Sequence, residues 1–339
     1  MKPLYSLFQR FERWRTRPGF WSVVLASTAI VASIGASGIG AARLPLGELP
    51  AALGDPNHPG YAVLWDVRMP RIAAAIVVGA ALGVAGALMQ AVIRNPLADP
   101  GLLGVTAGAG LGGLIAIIGA PERPALVPLF AFLGGVAAVM IVLAVSWSAR
   151  RVVTPLRLIL SGVAVQAVLF SLVALLTFAF ADRAPALVAF TVGSLNGLGW
   201  HDLGRVLPPA AIGVTLAFAS ARTLDLLLLD DDSATAVGLA VWRARTAMAV
   251  VAALLAAAAA GVAGLVGFVG LVVPNWVRVL VGPAHRALLP LSAIGGALLV
   301  VCADTAARTV MAPLELPVGA LLALVGGPYF LFVLWRRLP

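Results

Sequence analysis

Long windows without a charged residue recur along the chain, separated by short stretches that collect arginine, acidic residues, glycine and proline. Most windows have about 20 residues, the length that a helix needs to cross the hydrocarbon core of a bilayer. The window 246–277 is too long for one crossing, and it carries Gly264, Gly267 and Gly270, so we expect two spans with a break near Gly264. The windows are 19–42, 72–93, 101–121, 124–149, 158–181, the shorter 206–221, then 246–277, 287–303 and 316–335. This pattern predicts an all-α polytopic membrane protein with about ten transmembrane helices.

Composition and charge agree with this interpretation. Of the 339 residues 61% are hydrophobic and 11% charged, whereas about a quarter of the residues of a soluble domain are charged. With both termini inside, 16 of the 23 basic residues lie on the cytoplasmic side and 7 outside, as the positive-inside rule requires. The net charge of +9 is therefore explained by topology, without nucleic acid as a partner.

One membrane domain accounts for nearly the whole chain. We expect a basic cytoplasmic segment at 1–18, a single transmembrane domain at 19–335 and a cytoplasmic tail at 336–339. The longest predicted cytoplasmic loop, at 222–245, lies within the membrane domain. These assignments predict a multi-pass membrane protein with both termini cytoplasmic.

A short motif occurs twice. Gly83-Val84-Ala85-Gly86 is followed by Pro96, and Gly261-Val262-Ala263-Gly264 is followed at the same distance by Pro274. The copies are five spans apart, an odd number, so they would run in opposite directions across the membrane. Inverted repeats of this kind build transport pathways, although helices rich in glycine and alanine also resemble one another by chance.

The spans lack the chemistry of an autonomous pump. An ion-coupled carrier usually places carboxylates or histidines within its spans, but the predicted spans are almost free of acids, and Asp304 lies near an outer end, where it could pair with Arg308. A phosphate-binding Walker A loop needs a lysine, and the one lysine is Lys2. No catalytic or metal-binding group of residues is evident. If the protein transports against a gradient, its motor is another protein.

Three consecutive aspartates stand out in the predicted cytoplasmic loop, in "LDLLLLDDDSATAVGLAVWRAR" at 224–245. Asp230 or Asp231 can cap a short helix, Ser233 to Ala236 would give it a surface of small residues, and Gly238 can supply a left-handed ending. Such a helix suits a groove in a separate motor protein. A capped, solvated surface turn is the alternative.

Four stretches resemble the permease subunits of ABC importers for iron complexes and cobalamin, the FecCD family. They are "RMPRIAAAIVVGAALGVAGALMQAVIRNPLADPGLLGV", "DDDSATAVGL", "GFVGLVVPNWVRVLVGPAHRALLP" and "ADTAARTVMAPLELPVGALLALVGGPYF". The resemblance implies location in the bacterial inner (plasma) membrane, ten helices per subunit, and a path at the interface with a second copy or a paralogue. It also implies two ABC ATPase subunits, which would bind ATP and magnesium, and a periplasmic or lipoprotein substrate-binding protein. The chain itself would need no cofactor and would not be an enzyme.

The resemblance also assigns residues to roles. The ATPase-coupling residues would be Asp231, Ser233, Ala234 and Gly238, and the arginines that face the binding protein would be Arg68, Arg71 and Arg308. Thr154 and Pro155 would belong to the cytoplasmic gate, and Asn95, Pro96, Asp99 and Pro100 form the family's motif loop. From the residues alone, the three arginines could equally be helix-end side chains, and Pro155 could simply begin a helix. Asn275 stands where the family usually has a histidine.

The passenger is left open between three classes. Ferric siderophore is the first choice because the family's iron-complex members are numerous, haem is the second and cobalamin the third. No residue separates the three, because all would pass along an apolar, weakly binding path. A secondary transporter driven by an ion gradient is the alternative of another class, and uptake that survives loss of the ATPase would favour it.

Overall fold

The computed structural model describes residues 18–40, 45–148, 154–183, 188 and 190–337, and the regular elements within these ranges are helices. The α-helices are α1 (Pro18–Gly38), α2 (Leu49–Gly54), α3 (Met69–Ile93), α4 (Val105–Gly119), α5 (Val127–Ser148), α6 (Pro155–Ala179), α7 (Trp200–Ala219), α8 (Ala221–Leu227), α9 (Asp231–Ala236), α10 (Val241–Ala263), α11 (Val269–Val281), α12 (His285–Ala307) and α13 (Val318–Arg337). A π-helix (Val63–Arg68) leads into α3, and short 3-10 turns occupy Leu46–Glu48, Pro100–Leu103, Pro124–Leu126 and Ala181–Arg183.

Each predicted span falls on one helix. Within the described ranges seven helices are long and apolar enough to cross a membrane, and α4, α11 and the segment Val318–Leu331 of α13 are shorter apolar helices. The predicted break near Gly264 is confirmed. α10 ends at Ala263, Gly264 has φ +69°, and Phe268, at φ +66°, directly precedes α11. The all-α polytopic fold is therefore as the sequence predicts.

The bundle has two ends, which we name after α3. Arg71 lies in the first turn of α3 and Arg94 caps its carboxyl terminus, and a helix of 25 residues is about 37 Å long. At the Arg71 end, the last carbonyls of α1 accept hydrogen bonds from arginines, and the segment between α12 and α13 turns back. α1 therefore reaches the Arg71 end at its carboxyl terminus and α13 leaves from it, so Pro18 and Arg337 both lie toward the Arg94 end.

The predicted inverted repeat is visible in the direction of the helices. Asp231 pairs with Arg94 at the carboxyl terminus of α3 and with Arg245 in the second turn of α10. The end of α3 and the beginning of α10 thus lie together, and the two helices that carry the repeated motif run in opposite directions.

Equivalent glycines of the two copies make equivalent contacts. A methyl group at Gly83 of α3 would lie 2.2 Å from the Ser292 carbonyl oxygen of α12, and one at Gly261 of α10 would lie 2.8 Å from the Pro128 carbonyl oxygen of α5. The second contact has the same arrangement as the first, with α10 in place of α3 and α5 in place of α12. Small residues allow such close helix packing in membranes, and most residues of α3 are buried.

Candidate functional site

The short helix α9 forms as the sequence predicts. Asp230 is its N-cap and its side chain accepts a hydrogen bond from the Ser233 amide at 2.9 Å. This bond favours the ionised carboxyl and lowers the pKa of Asp230. Gly238 follows the helix at φ +88°, and its amide donates to the Thr235 carbonyl at 2.9 Å. A cap at one end and a left-handed glycine at the other therefore define this helix.

The exposed surface of α9 is narrower than the sequence suggests. Ser233 and Thr235 are exposed, whereas Ala234 is fully buried and belongs to the main hydrophobic core. The expectation that Ala234 forms part of an exposed small-residue surface is therefore wrong, because α9 packs this face against the bundle. Leu228 and Leu229 are exposed next to it, and they extend the surface with two apolar side chains.

Asp231 lies between two arginines. Its carboxylate accepts a hydrogen bond from Arg245 Nη2 at 3.0 Å and another from Arg94 Nη2. Arg245 is 1% exposed. The hydrogen bond from Arg245 is the main cause of the lowered pKa of Asp231. The side chain that the family resemblance assigns to ATPase coupling is thus bound within the membrane domain. The sequence analysis did not identify Arg94 or Arg245 as its partners.

A second acid anchors the preceding helix. Asp225 of α8 accepts hydrogen bonds at its Oδ1 from the His285 amide at 2.9 Å, and the same oxygen lies 2.7 Å from His285 Nδ1. His285 begins α12 and is buried. The segment α8–α9 is therefore attached to α12 as well as to α3 and α10.

The motif loop is held by its own side chains and by two neighbouring helices. Asn95 Oδ1 accepts from the Leu97 amide at 2.9 Å, and Asp99 Oδ1 accepts from the Gly101 amide at 2.8 Å. Pro96 offers its carbonyl to Asn275 Nδ2 of α11 at 2.7 Å, and Pro100 begins a 3-10 turn. These residues fix the backbone between α3 and α4.

Side-chain amides inside the bundle hold it together. Gln166 of α6 donates to the Gly101 carbonyl at 2.7 Å, and Gln90 of α3 donates to the Gly270 carbonyl at 3.3 Å. Asn275, which replaces the histidine usual in the family, is buried. Its Nδ2 donates to the Pro96 and Leu271 carbonyls, and its Oδ1 accepts a hydrogen bond from Arg278 Nη1 at 3.3 Å, so it joins the motif loop to α11.

Of the predicted gate, the structure describes the helix start. Thr154 is the N-cap of α6, its Oγ1 accepts from the Arg157 amide at 3.4 Å, and Pro155 is the first helical residue. The rest of the predicted turn, residues 150–153, lies outside the described residues. Thr154 and Pro155 therefore define where α6 begins, and their role in gating stays a prediction.

The three predicted docking arginines come together at the Arg71 end, but they are buried. Arg68, Arg71 and Arg308 are 4%, 6% and 5% exposed. Arg68 Nη1 donates to the Ser37 carbonyl at 2.5 Å, and Arg308 Nη2 donates to the Ala36 carbonyl at 2.6 Å. The expectation of exposed rim arginines is wrong for this chain, because the last carbonyls of α1 bind Arg68 and Arg308, and Arg71 is bound by acidic side chains.

Two acids complete this arginine cluster. Asp304 is 2% exposed and binds Arg71, with the Nη2–Oδ1 distance at 2.9 Å, and Arg308 Nε lies 3.5 Å from its Oδ2. Arg71 Nη1 also binds Glu315 at 2.8 Å. The alternative expectation, that Arg308 pairs with Asp304, is confirmed. The cluster joins α1, α3 and α12.

An all-helical, multi-pass bundle with a repeated motif on two oppositely directed helices, and a capped helix held between them at one end, is typical of the membrane domain of a transporter. The family model described as the FecCD transport family matches residues 25–336. This chain belongs to that family.

Relatives and a solved structure agree with this assignment. The chain is 38% identical over 281 residues to the Fe(3+) dicitrate transport system permease protein FecD of Escherichia coli, covering 83% of this chain and 87% of FecD. It is 37% identical over 336 residues to the hemin transport system permease protein HmuU of Yersinia pestis, covering 95% and 97%. A solved transporter described as metal-chelate type, in an inward-facing conformation, superposes with a TM-score of 0.84 at 28% identity, covering 94% of this chain and 100% of the other. The protein is a permease subunit of a metal-chelate type ABC importer.

Proposed function

We propose that this permease moves a ferric siderophore across the bacterial inner membrane, driven by a separate ABC ATPase and supplied by a substrate-binding protein. The observation that carries the ATP-driven part is the capped helix α9, because it offers an exposed surface at the same end as Arg94. Membership of an importer family implies ATPase and substrate-binding partners and a second membrane subunit. ATP and magnesium would be held by the ATPase, and this chain would carry no cofactor.

The ATPase would bind at the Arg94 end. Ser233, Thr235, Leu228 and Leu229 are the exposed residues that would contact it, and Gly238 would set the shape of the helix ending. The positive-inside rule makes this end cytoplasmic. Both chain termini would then be cytoplasmic, since Pro18 and Arg337 lie toward the same end. Thr154 and Pro155 would close the path there by fixing the start of α6.

The binding protein would dock at the Arg71 end. Because Arg68, Arg71 and Arg308 are buried, we propose that they hold this surface in shape instead of forming its outermost contacts. The exposed residues beside them include Val67, Val310 and Leu314. Apolar side chains around a covered positive cluster would give the binding protein both contact area and an attractive potential.

Uptake measurements test this function. Cells lacking the gene and cells with it restored would be given labelled iron as ferric siderophore, labelled iron as haem, and labelled cobalamin, in separate runs. Loss of the siderophore arm alone, recovered on complementation, is the expected result. Normal uptake in all three arms of the deletion strain would contradict the proposal. Uptake that survives deletion of the ATPase would favour an ion-driven secondary transporter.

Haem is the second candidate, and one observation favours it. The relative HmuU, named for hemin transport, matches over 97% of its length at 37% identity. FecD, named for ferric dicitrate, is as similar over a shorter region. Loss of the haem arm alone would select this alternative, and loss of the cobalamin arm alone would select the third.

A further inference from the structure

The ion pairs of Asp231 connect helix α9 to both copies of the inverted repeat. Arg94 belongs to the carboxyl terminus of α3, the first copy, and Arg245 belongs to α10, the second. Between them, the carboxylate of Asp231 is half-exposed, with a side-chain relative exposure of 49%. One side chain of α9 is therefore in contact with each half of the membrane domain.

The two arginines are themselves held in place. Arg245 is almost fully buried, and a buried guanidinium needs an acidic partner to offset its lost hydration. Arg94 donates from Nε to the Leu227 carbonyl at 2.8 Å, so it also binds the end of α8. The cluster of Arg94, Asp231 and Arg245 thus fastens α8 and α9 to α3 and α10.

The cap, the ending and the packed face of α9 are supplied by residues other than Asp231. Asp230 caps the helix, Gly238 ends it, and the buried methyl group of Ala234 seats it. The exposed Ser233 and Thr235 are on the helix whether or not Asp231 is charged. Helix formation and attachment of the helix to the two copies are therefore carried by different residues.

We propose that Asp231 is a positioning residue that ties the coupling helix α9 to both inverted copies, so that displacement of α9 moves the adjoining ends of α3 and α10 together. This inference rests on the proposed function, in which an ATPase pushes on α9. It changes the role of Asp231 from a contact with the ATPase to a link within the permease. A movement of the ATPase would be transmitted to the translocation path through Arg94 and Arg245.

The chain offers matched controls for both sides of the ion pair. Asp232 is adjacent and exposed, and within the described part of the chain it has no ion-pair partner. Arg243 is exposed, two residues from Arg245, and lies over the ring of Trp242. Substitutions at Asp232 and Arg243 remove the same charges from the same loop without touching the cluster.

The test uses the complete complex, purified through the permease and reconstituted with its binding protein. Asp231→Asn and Arg245→Gln, with Asp232→Asn and Arg243→Gln as controls, would be compared for three quantities. These are the ratio of ATPase to permease, the rate of ATP hydrolysis, and the rate of transport. The transported compound would be labelled ferric siderophore, haem or cobalamin, whichever of the three the wild type transports. We expect Asp231→Asn and Arg245→Gln to retain the ATPase at the wild-type ratio and to transport about fivefold less per ATP hydrolysed, since charge-assisted hydrogen bonds are strong but Asp231 is half-exposed. Both controls should match the wild type.

Two further results complete the test. The double variant Asp231→Asn, Arg245→Gln should be no worse than either single variant, because residues of one network are not additive. Loss of the ATPase from Asp231→Asn alone would indicate that Asp231 contacts the ATPase, and it would contradict the proposed link. Wild-type transport per ATP hydrolysed in Asp231→Asn would also contradict the proposed link. A wild-type complex without ATP-driven transport in any arm would instead count against the proposed function itself.

Discussion

Removal of Arg71 should destabilise the permease, because the buried carboxylate of Asp304 would lose its main partner. Arg71 Nε lies 3.0 and 3.1 Å from the two Asp304 oxygens and Nη2 lies 2.9 Å from one of them. Breaking a buried pair from one side costs about 3–5 kcal/mol. Arg308 stays 3.5 Å from Asp304, so we expect the lower part of this range for Arg71→Gln, about 3 kcal/mol.

The assay is thermal unfolding of the purified complex in detergent, with Arg205→Gln as the matched control. Arg205 lies at the same end of the bundle, is half-exposed and pairs with Asp202 at 3.4 Å. An exposed pair contributes about 0–1 kcal/mol. Arg71→Gln should lower the apparent Tm by roughly 5 °C or more, and Arg205→Gln by about 2 °C or less.

The alternative is that Arg71 contacts the binding protein directly. Arg71→Gln would then unfold like the wild type but bind that protein more weakly, with a larger loss at low salt than at high salt. That pair of results would refute the reasoning from burial.

Three further predictions follow from the packing and the charges. Gly83→Ala should prevent accumulation of folded permease, measured by gel filtration of detergent extracts, because its methyl group would lie 2.2 Å from the Ser292 carbonyl oxygen; Gly204→Ala, where the added methyl group meets nothing within 4 Å, should be tolerated. Asn275→Ala would leave the part-buried Pro96 carbonyl without its donor and should cost about 1 kcal/mol in thermal unfolding, and Asn275→His should cost less. The pKa of Asp231 is lowered by Arg245, so its ion pairs stabilise fully above the ordinary aspartate pKa of about 4 and are lost as the pH falls through the lowered value. The difference in Tm between wild type and Asp231→Asn should therefore be constant from about pH 5 to pH 8 and shrink only below about pH 4.

The sequence was sufficient for features that depend on local pattern. The length of an apolar window sets whether a helix can span the bilayer, so the ten spans and the break at Gly264 could be predicted one window at a time. The cap at Asp230 and the left-handed ending at Gly238 depend on residues within one turn of α9. The inverted repeat followed from the parity of the spans, and the family followed from its motifs.

The exposure of charged side chains was decided only by the tertiary structure. The sequence places Arg68, Arg71 and Arg308 near one end of the bundle, but it does not show that the last carbonyls of α1 bind Arg68 and Arg308 and that acids bind Arg71. The partners of Asp231 are Arg94, which lies 137 residues earlier in the chain, and Arg245, which belongs to the other copy of the repeat. The antiparallel direction of the two copies, which the sequence did predict, was the one signal that could have brought these residues together. A charge near a helix end is equally compatible with water and with a buried partner, and only the packing of the distant elements selects between them.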